Sequence, residues 1–359
     1  MRALLLSEYK HLEVVDLPVP QSGPGDVLVR VAACGICGSD VHGYDGGSGR
    51  RIPPIVMGHE AAGVVAAVDS AVSTGSATRF AIGDRVTFDS TVYCGQCEFC
   101  RRGEVNLCDD RQVVGVSCED YSRAGAFAEY VSVPSRVLYH LPDSLSFEDA
   151  AMLEAVSVAL HAVGLARLRG GESALVIGAG MIGLLLTQAA RVAGCASVSV
   201  ADVDPTRLTL AAHLGAEHTL QLSGADLKDA VLQLTSGRGV DVVFEAVGRD
   251  ETINGAIDCV RKGGTVILVG NIAREVSLPL QKVVVRQVRL QGSCASAGEY
   301  PEAIELVASG KVKVAPLISA VAPLTDGPQW FERLYAREPG LMKVVLDPRS
   351  TASTTVSSQ

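Results

Sequence analysis

The chain has 359 residues, 48% of them apolar and 20% charged, and a formal net charge of −9. That length exceeds what one small core needs and implies two domains in a globular protein. The negative charge argues against nucleic acid or an anionic membrane surface as the main partner.

The opening stretch Met1–Glu8 holds only four consecutive apolar residues, too few for a signal-peptide core. No apolar run reaches the length of a membrane-crossing helix, so a cytoplasmic location is the default expectation. Residues 2–33 read as short strands broken by turns. Val14-Val15 precedes the proline-marked stretch Asp16–Pro20, and Gly23–Asp26 turns into the apolar run Val27–Val31. Val64–Val68 and the stretch after Gly83-Asp84 continue the pattern. Short strands with Gly/Pro punctuation predict a β-rich, barrel-like unit. Residues 73–81 read as a surface loop.

Within this unit the stretch Cys34 to Glu60 concentrates chemistry. It contains Cys34, Cys37, Ser39, Asp40 and His42, then Gly58-His59-Glu60 after a Gly-rich loop. A thiolate, an imidazole and a carboxylate on two tight turns are what an open, catalytic zinc site requires. The same stretch taken alone also fits a buried thiol beside an ordinary hydrogen-bonded histidine. Next come Cys94, Cys97, Cys100 and Cys108, four of the ten cysteines, within fifteen residues. Such clustering indicates metal before disulfide in a reducing compartment. Four thiolates at C-x2-C-x2-C-x7-C can close around one zinc ion as a structural site, with iron–sulfur ligation as the competing reading.

From about Ser144 the pattern changes. Ser146–Asp149 opens an apolar helical stretch, Ala150–Leu165, that contains Glu154. A carboxylate in such a run either faces solvent or needs a partner, because burying it alone is costly. Ser173–Ile177 reads as a buried strand ending in Gly178-Ala179-Gly180-Met181-Ile182-Gly183, followed by a helix over Leu184–Val192. This is G-x-G-x-x-G between strand and helix, the context in which it cradles a dinucleotide pyrophosphate. The next strand, Ser197–Ala201, ends in Asp202, whose carboxylate suits the ribose hydroxyls of NAD and repels the 2′-phosphate of NADP. Arg207 nearby tempers that preference. Asp204-Pro205 starts a helix running to Leu214, Asp241–Glu245 is a strand, Thr252–Arg261 a helix and Thr265–Val269 a strand. The alternation predicts a doubly wound parallel sheet, α/β in class, with Gly178–Gly183, Asp202, Val247 and Val269–Asn271 around one cofactor at the carboxyl ends of its strands. A small-residue loop, Gly292–Gly298, precedes a helix over Pro301–Ser309. The Ser/Thr-rich tail 350–359 reads as disordered. His11, His140, His213 and His218 have no evident partners in the sequence.

With these pieces together, the chain resembles the zinc-dependent medium-chain dehydrogenase/reductase family over nearly its whole length. The likeness is to the branch of polyol (sorbitol/xylitol-type), threonine, butanediol and galactitol-1-phosphate dehydrogenases. It is carried by Gly35–His42, Gly58–Glu60, the four-cysteine lobe, Glu154 and Gly178–Gly183. The resemblance implies a GroES-like catalytic domain over about 1–150, completed by about 291–349, and a Rossmann NAD-binding domain over 151–290. It implies Cys37, His59, Glu60 and Glu154 around the catalytic zinc, directly or through water, and Ser39 and His42 as a proton relay. It also implies NAD contacts from Ile182, Asp202, Arg207, Val269, Gly270, Asn271, Cys294, Ala295 and Ser296, and a homodimer or homotetramer. Two departures stand out. Aligning on Tyr300-Pro301 puts Ala295 where polyol dehydrogenases often carry an arginine, and the usual Glu-Pro pair is Glu154-Ala155.

The expected activity is reversible, NAD-linked oxidation of a secondary alcohol, a sugar alcohol first. The alternatives are L-threonine 3-dehydrogenase, 2,3-butanediol dehydrogenase or galactitol-1-phosphate 5-dehydrogenase activity, with Arg50-Arg51 as candidate phosphate contacts. A non-catalytic NAD-binding scaffold is the remote alternative, since fold alone does not exclude it.

Overall fold

The computed structural model describes residues 1–69, 79–350 and 354–355, and divides into two compact units. The first comprises Met1–Glu154, Tyr300–Ser309 and Val314–Gln359; the second comprises Ala155–Glu299 and Gly310–Lys313. The sixth strand of the second unit's sheet, Arg289–Gly292, and the loop behind it stay with that unit, so the chain re-enters the first unit at Tyr300.

The first unit is built on an eight-stranded sheet whose long central strand is Asp26–Gly35. Val27, Val29 and Val31 alternate inward along it, as a strand with one face on the core demands. Glu60–Val68 pairs antiparallel to one side of this strand and Lys343–Asp347 to the other. Phe88, Phe127, Val133, Phe331 and Leu346 fill the core beneath. Of the loop expected at 73–81, residues 73–78 lie outside the described residues. Phe80 at its end is buried and stacks on His140 at 4.6 Å, and the His140 ring bonds the Arg79 carbonyl at 2.8 Å. Most of the expected disordered tail also lies outside the described residues. Thr354–Thr355, however, forms a two-residue strand against Ile318–Pro323.

The second unit is a six-stranded, fully parallel sheet. In space its strands run His218–Leu220, Ser197–Ala201, Ser173–Ile177, Val240–Glu245, Val260–Leu268, Arg289–Gly292. In chain order that is 3-2-1-4-5-6, the doubly wound arrangement whose switch point lies between the first and fourth strands. Ser173–Ile177 is buried from Ala174 onward, as a central strand of a parallel sheet requires. The helix Pro205–His213 starts where Asp204 accepts the Thr206 and Arg207 amides at 2.8 and 3.4 Å.

Several boundaries differ from the sequence reading. The stretch expected as one helix over Ala150–Leu165 is a short helix, Phe147–Ala150, a turn, and a second helix, Leu153–Leu165. The helix expected from Leu184 begins at Met181, inside the Gly-rich motif. The one expected over Thr252–Arg261 is Asp250–Cys259, and the strand after it begins at Val260.

Candidate active site

Three neighbouring strand ends of the first unit build the first cluster. Gly35, the last residue of the central strand, is the register partner of Glu60 on one side and of Val345 on the other. Cys37 lies two residues past Gly35 and caps the helix Gly38–Tyr44; its amide is held by the Asp40 carboxylate at 3.2 Å. His59 and Glu60 open the next strand. One ligand atom each from Cys37, His59 and Glu60 then lies within 4.8 Å of the others.

Charged side chains packed behind these groups fix their orientation. Asp40 is fully buried; its Oδ1 accepts from Arg51 Nε and Nη2 at 3.1 and 2.8 Å and lies 3.4 Å from His59 Nδ1. Burial alone would raise the Asp40 pKa, but His59 and Arg51 hold it well below the usual carboxylate range. His59 is raised well above its ordinary value: burial opposes the charge, while Asp40 and the Cys37 thiol favour it. The imidazole therefore stands with the Asp40 carboxylate 3.4 Å from Nδ1, an ion-pair approach without a hydrogen bond, and with the Ser39 hydroxyl 3.5 Å from Nε2. That is the carboxylate–histidine–metal arrangement in which the second partner sets the ring's orientation. The mixed S, N and O donors, three rather than four, fit a catalytic zinc ion.

Glu60 has its own partner. Its Oε2 accepts from Lys343 Nζ, which also donates to the Ile36 carbonyl at 3.2 Å. Lys343 is buried; burial alone would lower its pKa, and the Glu60 carboxylate outweighs this and keeps the ammonium charged. Gly35 makes the room, since a Cβ there would come within 2.5 Å of Glu60 Oε2. Glu154 stands outside the three-residue group. It retains some accessible surface, yet the protein around it pushes its carboxyl up to about 7, against the pull of His59 and with Glu60 and Asp89 adding to the rise.

Ser39 and His42 are both exposed on the helix Gly38–Tyr44. Ser39 Oγ is 3.5 Å from His59 Nε2 and accepts from Arg51 Nη2 at 3.4 Å. No hydrogen bond joins Ser39 to His42 among the described residues, so a relay between them needs a bridging hydroxyl or water. Cys34 is buried in the core beneath and makes no part of the cluster.

The second cluster is the four-cysteine lobe. One sulfur each from Cys94, Cys97, Cys100 and Cys108 lies within 4.8 Å of the others, and all ten cysteines are free of disulfides. Backbone amides point at the sulfurs: Gln96 and Cys97 at Cys94 Sγ, both 3.4 Å, Cys100 at Cys97 Sγ, 3.5 Å, and Cys94 at Cys108 Sγ, 3.3 Å. These donors stabilise thiolate, and the Cys100 and Asp109 amides bring Cys97 down to about 6. Four sulfurs with no oxygen or nitrogen ligand beside them fit a closed structural zinc.

In the second unit the Gly-rich loop meets the switch point. Gly178 has φ +98°, a conformation that excludes most side chains, and a Cβ on it would come within 2.7 Å of Val247. A Cβ on Gly183 would collide with the Gly178 carbonyl, which is why the helix can start so close to the strand. That helix, Met181–Val192, is capped by Gly180 with no side-chain acceptor, and a Cβ on Gly180 would meet nothing within 4 Å. Its first amides, Ile182 among them, are thus left to an anion, as a pyrophosphate site requires. Asp202 closes the adjoining strand; its carboxylate accepts the Ala179 amide at 2.6 Å and the Asp204 amide at 2.9 Å. Arg207 is turned toward Asp204 at 3.5 Å. Val269 and Gly270 both donate to the Glu245 carbonyl, at 2.9 and 3.0 Å, which brings Val269–Asn271 beside Val247. The loop Cys294–Ser296 leaves the sixth strand at the same end of the sheet, with Ser293 bonded to the Leu268 carbonyl at 2.9 Å. Cys294 is exposed, Ala295 has φ +51°, and Ser296 is buried.

Comparison with known proteins agrees with this geometry. Residues 23–143 match the alcohol dehydrogenase GroES-like domain and residues 182–309 the zinc-binding dehydrogenase family. The chain is 34% identical to the sorbitol dehydrogenase of Bacillus subtilis (strain 168), covering 97% of both. The chain belongs to the zinc-dependent medium-chain dehydrogenases. It is an oxidoreductase of the alcohol and polyol dehydrogenase class. Among its relatives is also the L-idonate 5-dehydrogenase of Vitis vinifera, 36% identical over 89% of this chain and 86% of the relative. A zinc-binding dehydrogenase of Sinorhizobium meliloti 1021, solved with NADP bound, superposes with a TM-score of 0.85 at 32% identity, covering 97% of this chain and 99% of that one.

Five residues of this dehydrogenase take parts that a reading of the sequence does not assign to them. Lys343 meets Glu60 across 283 positions, and only the strand register brings them together. Asp40 and Arg51 form a buried pair behind His59; Arg51, expected as a possible phosphate contact, is committed to Asp40 and is unavailable for one. Glu245 organises the cofactor-side loops, accepting the Val247 and Gly248 amides at 2.9 Å. Tyr300 is fully buried, stacked on Tyr139 at 5.0 Å, with a hydroxyl that finds no partner among the described residues.

Proposed function

We propose that the dehydrogenase oxidises a secondary alcohol, a sugar alcohol first, to the ketone with NAD+. The convergence of Cys37, His59 and Glu60 within 4.8 Å carries this reading. Cys37, His59 and Glu60 hold zinc, with Glu154 close by, and Cys94, Cys97, Cys100 and Cys108 hold a second, structural zinc. The first zinc supplies a Lewis acid for the hydroxyl being oxidised, and the nicotinamide supplies the hydride acceptor. Asp40 keeps the His59 ring in place through Nδ1, and Arg51 keeps Asp40 ionised. Ser39, 3.5 Å from His59 Nε2, takes the alcohol proton, and exposed His42 passes it to solvent through a bridging hydroxyl or water. Lys343 balances Glu60, so the carboxylate's negative charge does not fall wholly on the metal.

NAD rather than NADP is supported by the Asp202 carboxylate at the end of its strand and by Arg207 being engaged with Asp204. Of the two candidate phosphate contacts, Arg51 is spent on Asp40 and only exposed Arg50 remains, which favours an unphosphorylated substrate. A homo-oligomer is supported by Leu280 and Val284, which lie on one face of the helix Leu280–Val285 and are 66% and 67% exposed. A cytoplasmic location is supported by ten free cysteines. No helix of the described residues is long and apolar enough to cross a membrane.

The test is a reduction screen with NAD+ and NADP+ over polyols, diols, threonine and phosphorylated alditols. NAD+ reduction with an unphosphorylated polyol is expected. Turnover with NADP+ alone contradicts the role of Asp202, and turnover confined to phosphorylated alditols contradicts the substrate class.

A further inference from the structure

The parallel sheet of the second unit has two ends, and the dinucleotide loops occupy only the carboxyl one. At the amino ends of Val240–Glu245, Val260–Leu268 and Arg289–Gly292 lies a cavity of about 650 Å³. Lys228, Arg238, Arg261, Lys262, Lys282 and Arg286 line it, against one lining carboxylate, Asp258. An adjoining cavity of about 300 Å³ shares Arg261 and adds Arg167 and Arg169, with Glu172 and Asp241. In a chain of net charge −9 this is a marked concentration of positive charge.

Local structural duties absorb only part of it. Arg286 caps the helix Asp250–Cys259, donating to the Ile257 carbonyl at 2.7 Å and to that of Val260. Lys282 pairs with Asp258 at 2.8 Å. Arg238 and Arg261 share a single carboxylate, Asp241, at 2.9 and 2.6 Å. The Lys228 and Lys262 ammonium groups make no hydrogen bond or ion pair among the described residues; the Lys262 carbonyl accepts from Arg261 at 2.8 Å. Asp241 and Asp258 therefore leave four of the six cations lining the larger cavity unbalanced. Three helices, Gly224–Leu234, Asp250–Cys259 and Leu280–Val285, end at the cavity. Each terminus contributes roughly half a negative charge, which offsets about one and a half of the four and leaves the cavity cationic.

We propose that this cleft binds a small polyphosphate anion. A single carboxylate ligand would neutralise too little of the surplus, whereas a phosphate chain carries several charges and matches guanidinium forks geometrically. The larger cavity falls in the size range of small-molecule sites. An extended nucleic acid is disfavoured by the acidic charge of the chain as a whole. The cofactor's own pyrophosphate is accounted for at the opposite end of the strands by the loop Gly178–Gly183. Inorganic polyphosphate and the phosphate chain of a nucleotide share the chemistry this cleft recognises.

The test is calorimetric titration of the full chain in saturating NADH, at fixed ionic strength, with tripolyphosphate and with ATP. Saturable binding is expected. The double variant Lys228→Glu/Lys262→Glu should weaken it by about tenfold or more, because it reverses two charges facing the ligand. Lys10→Glu/Lys311→Glu carries the same charge change on exposed sites outside the cleft and should leave binding and alcohol oxidation unchanged. Equal affinities for the two ligands assign the site to the inorganic chain, and tighter binding of ATP assigns it to a nucleotide. No saturable binding of either ligand, or an equal loss in the two double variants, overturns the proposal.

Discussion

The two sulfur-bearing clusters of the first unit are built on opposite principles. The four-cysteine lobe is local: its sulfurs come from fifteen consecutive residues, and neighbouring backbone amides point at three of them. The Cys37–His59–Glu60 cluster is assembled from strand ends far apart in sequence. Two of its three ligand groups are backed by a buried charge, His59 by Asp40–Arg51 and Glu60 by Lys343. A local sulfur cage needs little from the rest of the fold and does little beyond holding it together. A mixed-ligand centre needs the whole sheet to align it, and it is there that reactivity can be tuned.

Substitutions can break this contrast in order of expected effect. Cys37→Ala should lower kcat by on the order of a thousandfold or more, since a zinc held there would lower the barrier by several kcal/mol. Dinucleotide binding, followed by fluorescence titration, should be retained. Arg51→Met leaves the Asp40 carboxylate buried with only His59 beside it, and breaking a buried pair costs about 3–5 kcal/mol. Urea denaturation should register that loss. If stability is unchanged, the pair is not buried as described. Lys343→Met should lower metal affinity or kcat by about 10–100-fold, the usual consequence of removing an outer partner, and Lys343→Arg should recover most of it. In the lobe, Cys97→Ser should lower the melting temperature by more than about 4 °C. The kcat of the chains that remain folded should hold, the reverse of the Cys37→Ala pattern.

The smallest effect concerns pH. Asp241 accepts hydrogen bonds from Arg238, Ser173 and Arg261; burial alone would raise its pKa, and these donors together hold it low. A carboxylate depressed in the folded state adds stability that is fully present above its unfolded pKa of about 3.9 and fades as pH falls toward the folded value. Asp241→Asn should therefore flatten the stability profile below about pH 4 and leave its shape near neutrality unchanged, as read by thermal melts across pH.

What the sequence disclosed follows the same division between local and non-local. Cys94–Cys108 and Gly178–Gly183 are legible because each motif is contiguous and its geometry is set by its own spacing. Cys37, His59 and Glu60 are legible as residue types on two turns, but not as a centre with partners. Lys343 lies on a strand that ordinary apolar residues continue, so nothing in its surroundings marks it; its meaning comes from the pairing of Val345 with Gly35. The turn at Ala151-Met152 falls inside the apolar run Ala150–Leu153, which carries no glycine or proline, so periodicity alone reads straight through it. His218–Leu220, three residues long, is too short to register as a strand until the sheet supplies its neighbour.

The central claim is that two separate zinc sites divide the labour, one reactive and one structural. Zinc content per chain, measured by mass spectrometry of digested protein alongside alcohol turnover, tests it most directly. The account predicts two zinc ions in the unaltered chain, one for each cluster. Cys37→Ala should retain one zinc and lose turnover, and Cys97→Ser should retain one zinc and keep it. A Cys37→Ala chain that still holds two zinc ions and oxidises alcohol at the normal rate would contradict it.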